Sequence, residues 1–367
     1  MYPIIDAHED LAWNILTFGR DYTQDAHAIR ARERETQSPA PLANGDTLLG
    51  WPQYVQGGVV AVFATLFAAP VRRKGGAWDR LVYATPEEAR RLYDAQWQAY
   101  RRLVEEHPDR FRLLITRSAW EVHWQQVTRR LGEPHPVGLV LLMENAEAIE
   151  TPDHLAEWYR RGLRLLGPAW AGTRFCGGTG EPGPMTDEGR RLLREMASWN
   201  LGLDISHMDE PAALEALDTY PGPVLASHAN PRGLLKDEGN RHLSDSVLRR
   251  LFERDGVVGI VPYNRFLVAG WRPSDGKDAV SLQRVAEMID YVCQLAGNAR
   301  HVGIGSDFDG GFGQQHVPAE VDTIADLQRL APLLRDRGYT EDDLKAIFAD
   351  NWKRLLLQIL PEEAPRD

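Results

Sequence analysis

Residues 137–144 read VGLVLLME, seven residues without a polar side chain followed directly by a carboxylate. An apolar run that does not alternate with polar residues is typical of a parallel strand buried on both faces. An acid at the end of so apolar a strand is costly unless a cation or a hydrogen-bond donor satisfies it. Glu144 therefore marks both the end of a buried strand and a candidate functional site.

Runs of the same kind recur along the chain, and segments of helical composition lie between them. The eight runs are Pro3–Asp6, Val59–Phe67, Val137–Met143, Leu163–Leu166, Leu201–Ile205, Pro223–Ala226, Val257–Val261 and Val302–Gly305. The helical segments are Pro86–His107, Thr186–Trp199, Glu210–Leu217, Ser244–Arg254 and Ser281–Ala296. Repeated alternation of strand and helix predicts a parallel sheet, and eight strands predict an α/β fold closed into a (β/α)8 TIM-type barrel.

Two alternatives remain open for the architecture. An open, doubly wound sheet fits the same alternation of strands and helices. Phe111–Ile115 is a ninth strand candidate, which we expect at the periphery. Residues 1–367 are expected to form a single barrel domain with loop insertions near 19–56, 68–85 and 264–280, because long βα loops are frequent on this fold.

Composition excludes several classes of protein. The net charge of −11 argues against a nucleic-acid surface, which requires clustered Lys and Arg. No apolar run approaches the roughly 20 residues that span a bilayer, and no signal peptide is visible at the start. We therefore expect a cytoplasmic protein without a membrane partner. A homodimer is compatible with the sequence, because two-fold dimers are the commonest oligomers.

Imidazoles and carboxylates follow several of the predicted strands. In a closed barrel all carboxyl ends of the strands open onto one face, where these side chains would meet. Mixed imidazole and carboxylate ligands suit zinc, and cobalt, manganese or nickel could occupy the same site. The candidate metal ligands are His8, Asp10, Glu144, His207 and His228.

Each candidate also has a purely structural interpretation. His8 and Asp10 are two residues apart, so both point the same way on an extended segment, but they could form a simple structural pair. His207 and His228 could each bond the backbone at a strand end. Glu144 could cap the following helix rather than bridge two cations. The metal hypothesis rests on these residues occurring together at strand ends.

The last predicted strand ends in the segment 301–311, HVGIGSDFDGG, which offers two acids. Asp309 precedes Gly310, and an Asp-Gly pair is readily explained as a turn. A turn explains Asp307 poorly. We therefore prefer Asp307 as the catalytic carboxylate.

The sequence resembles the renal or membrane dipeptidase family, zinc dipeptidases of the amidohydrolase superfamily, and a bacterial member in particular. The resemblance extends from Asp6 to about Leu356. It is carried by the segments 6–10 (DAHED), 205–207 (ISH), 227–228 (SH), 240–242 (NRH), 301–310 (HVGIGSDFDG) and 351–355 (NWKRL), together with Glu144. The order of these motifs along the chain makes the likeness specific.

The resemblance implies a role for each motif. A His-x-Asp pair binds one zinc, two later histidines bind the other, and a glutamate bridges, which matches the five candidate ligands. The last-strand acid handles a proton, and Asp307 matches it. An arginine after the sixth strand grips the substrate carboxylate, and Arg241 matches it. On its own Arg241 would be assigned to the surface, like most arginines.

The chain departs from the family pattern after the fourth strand. The family usually has a histidine there that contacts the scissile carbonyl oxygen, whereas Trp170 falls at or near that position in this sequence. Tryptophan offers a single N–H donor and cannot carry charge. Trp170 is nevertheless expected to bind substrate, and its presence leaves the preferred substrate open.

The sequence predicts a metallo-dipeptidase that hydrolyses the amide bond of small dipeptides through a hydroxide bridging two divalent metals, with Zn²⁺ as the expected ion. Two alternatives remain. The first is a binuclear metal amidohydrolase acting on another small amide, such as a lactam or an N-acyl amino acid. The second is a metal-binding barrel without catalysis, which Asp307 disfavours because a binder needs no proton carrier.

Overall fold

The computed structural model describes residues 1–235 and 239–363. Eight parallel strands form the central sheet. They are β1 (Ile4–Glu9), β2 (Val59–Leu66), β3 (Val137–Glu144), β4 (Leu163–Gly167), β5 (Gly202–Asp204), β6 (Val224–Ala226), β7 (Val257–Ile260) and β8 (Val302–Ile304). Each strand pairs with its neighbour in sequence, and β1 also pairs with β8. The sheet is therefore a closed ring, which confirms the (β/α)8 barrel and excludes the open doubly wound alternative.

Side chains of the apolar strands divide between two cores. Ile5, Ala7 and Phe63 belong to a cluster that also contains Trp352 of the C-terminal helix, whereas Ile4 and Val62 belong to the larger cluster between the barrel and its helices. Successive side chains point to opposite faces of a strand, and here both faces are apolar. This arrangement explains why the strand sequences lack polar alternation.

The helices pack around the ring of strands. The α-helices are Leu11–Phe18, Ala26–Glu35, Ala40–Ala43, Trp51–Gly57, Pro86–Glu106, Arg117–Thr128, Leu155–Arg160, Asp187–Ser198, Glu210–Thr219, Asp245–Glu253, Asn264–Leu267, Gln283–Ala296, Leu330–Asp336, Glu341–Lys345 and Asn351–Ile359. All five predicted helices are present within two residues of their expected ends. Thr85 and Thr186 cap two of them by accepting from the backbone N–H of Glu88 and Gly189.

Short strands lie outside the ring. Phe111–Leu113 pairs with the start of β3, as expected of a peripheral ninth strand. Cys176–Gly178 and Glu181–Met185 form an antiparallel hairpin after β4, and Ala69–Pro70 pairs with Val82–Tyr83 after β2. Within residues 1–235 and 239–363, no helix combines the length and the apolar character that crossing a bilayer requires.

The insertion near 19–56 contains helices that were not predicted from the sequence, among them Ala26–Glu35. Asp25 caps the helix Ala26–Glu35 by accepting from the N–H of His27 at 2.8 Å. Arg30 and Glu33 lie on the buried face of that helix, and Arg30 donates to the carbonyl of Thr47. Polar residues on the inner face hide the apolar periodicity on which helix prediction depends.

Candidate metal centre

The carboxyl ends of the barrel strands open into a cavity of about 940 Å³. Size and position are those of a small-molecule site on this fold. Seven of the residues singled out from the sequence lie on the cavity wall: Asp10, Glu144, Trp170, His207, His228, Arg241 and Asp307. His8 is buried directly behind that wall, with its ring centroid 3.7 Å from that of His228.

Glu144 lies at the centre of the cluster, and its two carboxylate oxygens face different partners. Oε1 is 3.1 Å from Nε2 of His207 and 3.4 Å from Nε2 of His228. Oε2 is 3.8 Å from Nε2 of His8. One carboxylate thus lies between two sets of potential ligands, as the bridging hypothesis requires.

The ligand atoms form compact groups. Glu144, His207 and His228 each place one ligand atom within 4.8 Å of the others, and so do His8, Asp10 and Asp307. A third group of the same dimensions joins His8 and His228 to Asp204. Imidazole nitrogens and carboxylate oxygens are the donors that zinc and similar divalent ions prefer.

Hydroxyl groups around the cavity contact the candidate ligands and orient them. Nδ1 of His207 lies 2.9 Å from Oγ1 of Thr179, and Nδ1 of His228 lies 2.8 Å from Oγ of Ser227. If each Nδ1 carries the proton, both Nε2 atoms present lone pairs to the cavity. The hydroxyl of Thr65 instead acts as a donor, to Oδ1 of Asp10.

Sequence reasoning assigned no role to Asp204, which ends β5. Its Oδ2 accepts a hydrogen bond from the Ser227 hydroxyl, and its Oδ1 accepts from the N–H groups of Ser206 and Ser227 at 2.9 Å each. Asp204 thereby fixes the hydroxyl that contacts His228. Its position at a strand end was visible in the sequence. Its contact with Ser227 was not, because that contact joins two different strands.

Burial sets the protonation of the cluster. It lowers the pKa of His8 to about 3, with Arg241 as a second cause, and lowers the pKa of His207 and His228 well below the usual value. Burial also raises the pKa of Glu144 well above its usual value, and Asp10 adds to this effect. Neutral imidazoles are the form that binds metal.

Two buried atoms of the cluster lack the partners that buried polar groups normally have. Nε2 of His8 and Oε1 of Glu144 make no hydrogen bond with any described residue. Unsatisfied buried groups are rare, and an ion is one of the standard explanations. The donor set and these two atoms therefore fit divalent cations.

Backbone strain is concentrated at the same strand ends. Asn145, His207, Asp307 and Asp309 adopt φ values of 67°, 66°, 57° and 63°. Non-glycine residues rarely occupy this region, and where they do, the strain often belongs to a functional site. Here the strained backbone turns His207 and Asp307 onto the cavity wall.

The two acids after β8 have different surroundings. Asp307 lines the cavity, with Oδ1 3.9 Å from Nε2 of His8. Asp309 is fully buried away from it, where it pairs with Arg20 at 3.0 Å and accepts hydrogen bonds from Tyr22 and from the N–H of Leu48. Asp309 therefore holds the segment 19–56 against the barrel.

Arg241 and Trp170 occupy different sides of the cavity. Nη2 of Arg241 donates to the carbonyl of His228 at 3.0 Å, and the guanidinium lies 5.1 Å from the ring centroid of Phe266. Nη1 has no hydrogen-bond partner among the described residues. The half-buried ring of Trp170 packs on Phe67, with centroids 5.1 Å apart, and lies 6.3 Å from the ring of His207.

A closed barrel with histidines and carboxylates gathered at its mouth is the architecture of metal-dependent hydrolases. The chain matches the family described as membrane dipeptidase (peptidase family M19) over residues 1–363 and belongs to that family. This assignment confirms the resemblance found in the sequence and the prediction of a dipeptidase-type hydrolase.

Individual relatives agree with the family. An uncharacterized protein of the pqqA 5′ region of Klebsiella pneumoniae is 31% identical over 280 residues, which cover 72% of this chain and 96% of that protein. Dipeptidase aclJ of Aspergillus oryzae is 32% identical over 174 residues, which cover 47% of this chain and 39% of that protein. The sequence likeness to aclJ is thus confined to part of each chain.

Solved structures share the fold over almost the full length. A metallo peptidase from Rhodobacter sphaeroides, liganded with a phosphinate mimic of L-Ala-D-Ala, gives a TM-score of 0.77 at 24% identity and covers 98% of this chain and 99% of its own. The probable dipeptidase PvdM from Pseudomonas aeruginosa gives 0.76 at 17% identity, with coverage of 98% and 96%.

Proposed function

We propose that this chain hydrolyses the amide bond of small dipeptides at a centre of two divalent metal ions, with Zn²⁺ as the expected ion. His8 and Asp10 would hold one ion, and His207 and His228 the other. Glu144 would bridge them, and the observation that carries the proposal is that its two oxygens face the two ligand sets separately. The phosphinate-dipeptide ligand of the Rhodobacter sphaeroides structure supports a dipeptide as substrate.

The bound ions would supply a water of lowered pKa and polarise the scissile carbonyl. Asp307 would accept the proton of the attacking water and return it to the leaving nitrogen. Its carboxylate lies on the cavity wall beside the ligands, and burial together with Asp10 raises its pKa well above the usual value.

Arg241 would bind the carboxylate at the C-terminal end of the dipeptide. Its Nη1 is free of hydrogen bonds within the described chain, while Nη2 and the ring of Phe266 fix the plane of the guanidinium. A guanidinium held in place can form two parallel hydrogen bonds to a carboxylate. This arrangement favours substrates with a free acid.

Metal content with an activity assay tests the proposal. We expect about two divalent ions per chain in purified protein and hydrolysis of dipeptides that a chelator abolishes and added Zn²⁺ restores. Glu144→Gln should lower metal content and activity together, whereas the matched change Glu150→Gln, outside the cavity, should leave both unchanged. A single ion per chain, or turnover that survives complete metal removal, would contradict the proposal.

A second candidate function is hydrolysis of another small amide, such as a lactam or an N-acyl amino acid. Trp170 favours it, because the family's histidine is replaced here by a residue that donates more weakly. A panel of L,L- and L,D-dipeptides assayed beside N-acyl amino acids and lactams decides between the two. Higher kcat/KM on the non-peptide amides would favour the second candidate.

A further inference from the structure

The segment that follows β2 carries a buried carboxylate for which the proposed reaction has no use. Asp79 is 5% exposed and lies on the wall of the same cavity. Its Oδ2 accepts a hydrogen bond from the N–H of Gly75 at 3.0 Å, but its Oδ1 has no partner among the described residues. A buried carboxylate with an unsatisfied oxygen is costly, and a cation that binds Oδ1 would offset that cost.

The neighbouring arginine does not supply that cation. Arg73 also lines the cavity, but its Nε lies 2.9 Å from Oε1 of Glu181, in the hairpin after β4. Glu181 also binds Arg72, with 2.7 Å between Nη2 and Oε2. Arg72 and Arg73 are thus both directed towards Glu181, and the other two basic residues of this segment, Lys74 and Arg80, are exposed.

Two tryptophans lie on the same cavity wall as the acid. Trp78 precedes Asp79, and its ring lies 6.0 Å from that of Trp13 at an interplanar angle of 89°. Phe18 packs against both rings, 5.6 Å from Trp78 and 5.5 Å from Trp13, and both tryptophans line the cavity. A carboxylate and tryptophan rings on one cavity wall can offer an ammonium group both an ion pair and a cation–π interaction.

The barrel places this group opposite Arg241. The segment of Asp79 follows β2, whereas Arg241 follows β6, four strands further around a ring of eight. A dipeptide whose C-terminal carboxylate is held by Arg241, and whose amide lies at the metal ligands, therefore extends its N-terminal residue towards Asp79. The cavity of about 940 Å³ has room for both residues.

We propose that Asp79, with the rings of Trp13 and Trp78, forms a subsite for an ammonium group on the N-terminal residue of the substrate. This inference rests on the proposed dipeptidase function. The ammonium comes either from the α-amino group or from the side chain of an N-terminal lysine. In both cases the cavity selects substrates that carry an anion at one end and a cation at the other.

The test varies the two ammonium groups independently. The substrates are Lys-Ala, norleucyl-Ala and the N-acetyl form of each, and norleucine keeps the lysine chain without its charge. The variant is Asp79→Asn, whose amide oxygen can still accept from Gly75. The control is Asp109→Asn, the same charge change at an exposed acid beyond the opposite end of the barrel.

We expect Asp79→Asn to lower kcat/KM by roughly 10- to 100-fold on substrates with the recognised ammonium. If Asp79→Asn lowers kcat/KM only on the two substrates with a free α-amino group, the subsite binds the α-ammonium. If it lowers kcat/KM only on the two lysyl substrates, the subsite binds the lysine side chain. Asp109→Asn should change nothing. No loss on any substrate, or an equal loss that includes N-acetyl-norleucyl-Ala, would overturn the subsite.

A binding measurement separates this inference from the proposed function. Calorimetric titration of the same four compounds into Asp307→Asn and into Asp307→Asn/Asp79→Asn measures recognition without turnover. Dependence of affinity on Asp79 supports the subsite even if the wild-type protein hydrolyses none of the compounds, a result that would end the dipeptidase proposal alone. Affinity that is independent of Asp79 overturns the subsite alone.

Discussion

The Nε2 atoms of His207 and His228 lie 2.9 Å apart, although the two residues follow different strands of the barrel. The Nδ1 atom of each ring contacts a hydroxyl group, that of Thr179 for His207 and that of Ser227 for His228. If both Nδ1 atoms are protonated, two lone pairs face each other across this short distance, which is unfavourable unless a cation lies against them. Under the proposed function, the surrounding hydroxyls orient the pair towards a shared metal ion.

Replacing Asp307 with Asn should leave the metal content intact and lower kcat by roughly 10²- to 10⁴-fold, because the amide cannot accept the water's proton. Metal analysis and steady-state kinetics on the same preparation check this outcome. Loss of metal in the variant would instead make Asp307 a ligand, which its proximity to His8 and Asp10 allows. Retained turnover would refute the proton role.

Replacing Arg241 with Met should raise KM for free-acid dipeptides by roughly 10- to 100-fold and change KM for the corresponding C-terminal amides far less. Arg241→Lys should give an intermediate value, since it keeps the charge but not the planar pair of donors. The ratio of the two KM values for each variant is the measurement. Equal effects on acids and amides would show that Arg241 does not recognise the carboxylate.

Replacing Trp170 with His should raise kcat on dipeptides by roughly tenfold or more, because an imidazole can stabilise charge on the carbonyl oxygen. Trp170→Phe is the matched control, since it keeps an aromatic ring against Phe67 but has no donor. We expect Trp170→Phe to fall to or below the wild-type rate. If the two variants behave alike, a donor at this position does not determine the rate.

His123 gives a pH-dependent contribution to stability outside the cavity. It is fully buried, lies 2.9 Å from the carbonyl of Val60 through Nε2, and burial lowers its pKa to about 4. In the unfolded chain His123 becomes protonated below about pH 6.5, whereas in the folded chain it stays neutral down to about pH 4. As the pH falls through this range, His123 should therefore lower the free energy of unfolding by about 3 kcal/mol. Above about pH 6.5 it should add no pH dependence.

Urea denaturation at several pH values measures this contribution. His123→Gln can still donate to Val60 but does not titrate, so its stability should fall less steeply below about pH 6.5 than that of the wild type. His154→Gln, at a more exposed histidine, is the matched control for the substitution itself. Identical slopes in all three proteins would contradict the expectation.

A helix and two buried acids are among the features that were not predicted from the sequence. The helix Ala26–Glu35 was missed because Arg30 and Glu33 occupy its inner face, where they pair with residues distant in sequence. Asp204 was left without a role because its function depends on Ser227 of the neighbouring strand. Asp79 carried no signal at all, since an acid in a loop is normally solvated.

The sequence by itself determined the number and order of the strands and the identity of the side chains at their ends. Local composition is sufficient for this, because a strand buried on both faces must be apolar, and an acid or imidazole directly after it stands out. Asp6 pairs with Val62 whereas Glu9 pairs with Ala64, so the register of β1 shifts within the segment that contains His8.

Only the tertiary structure decided which of those side chains meet. The register shift in β1, the strained turns at His207 and Asp307, and the position of Asp79 opposite Arg241 all follow from closure of the ring and from packing between distant segments. Such contacts depend on the whole fold, because each is fixed by backbone that lies far away in the sequence.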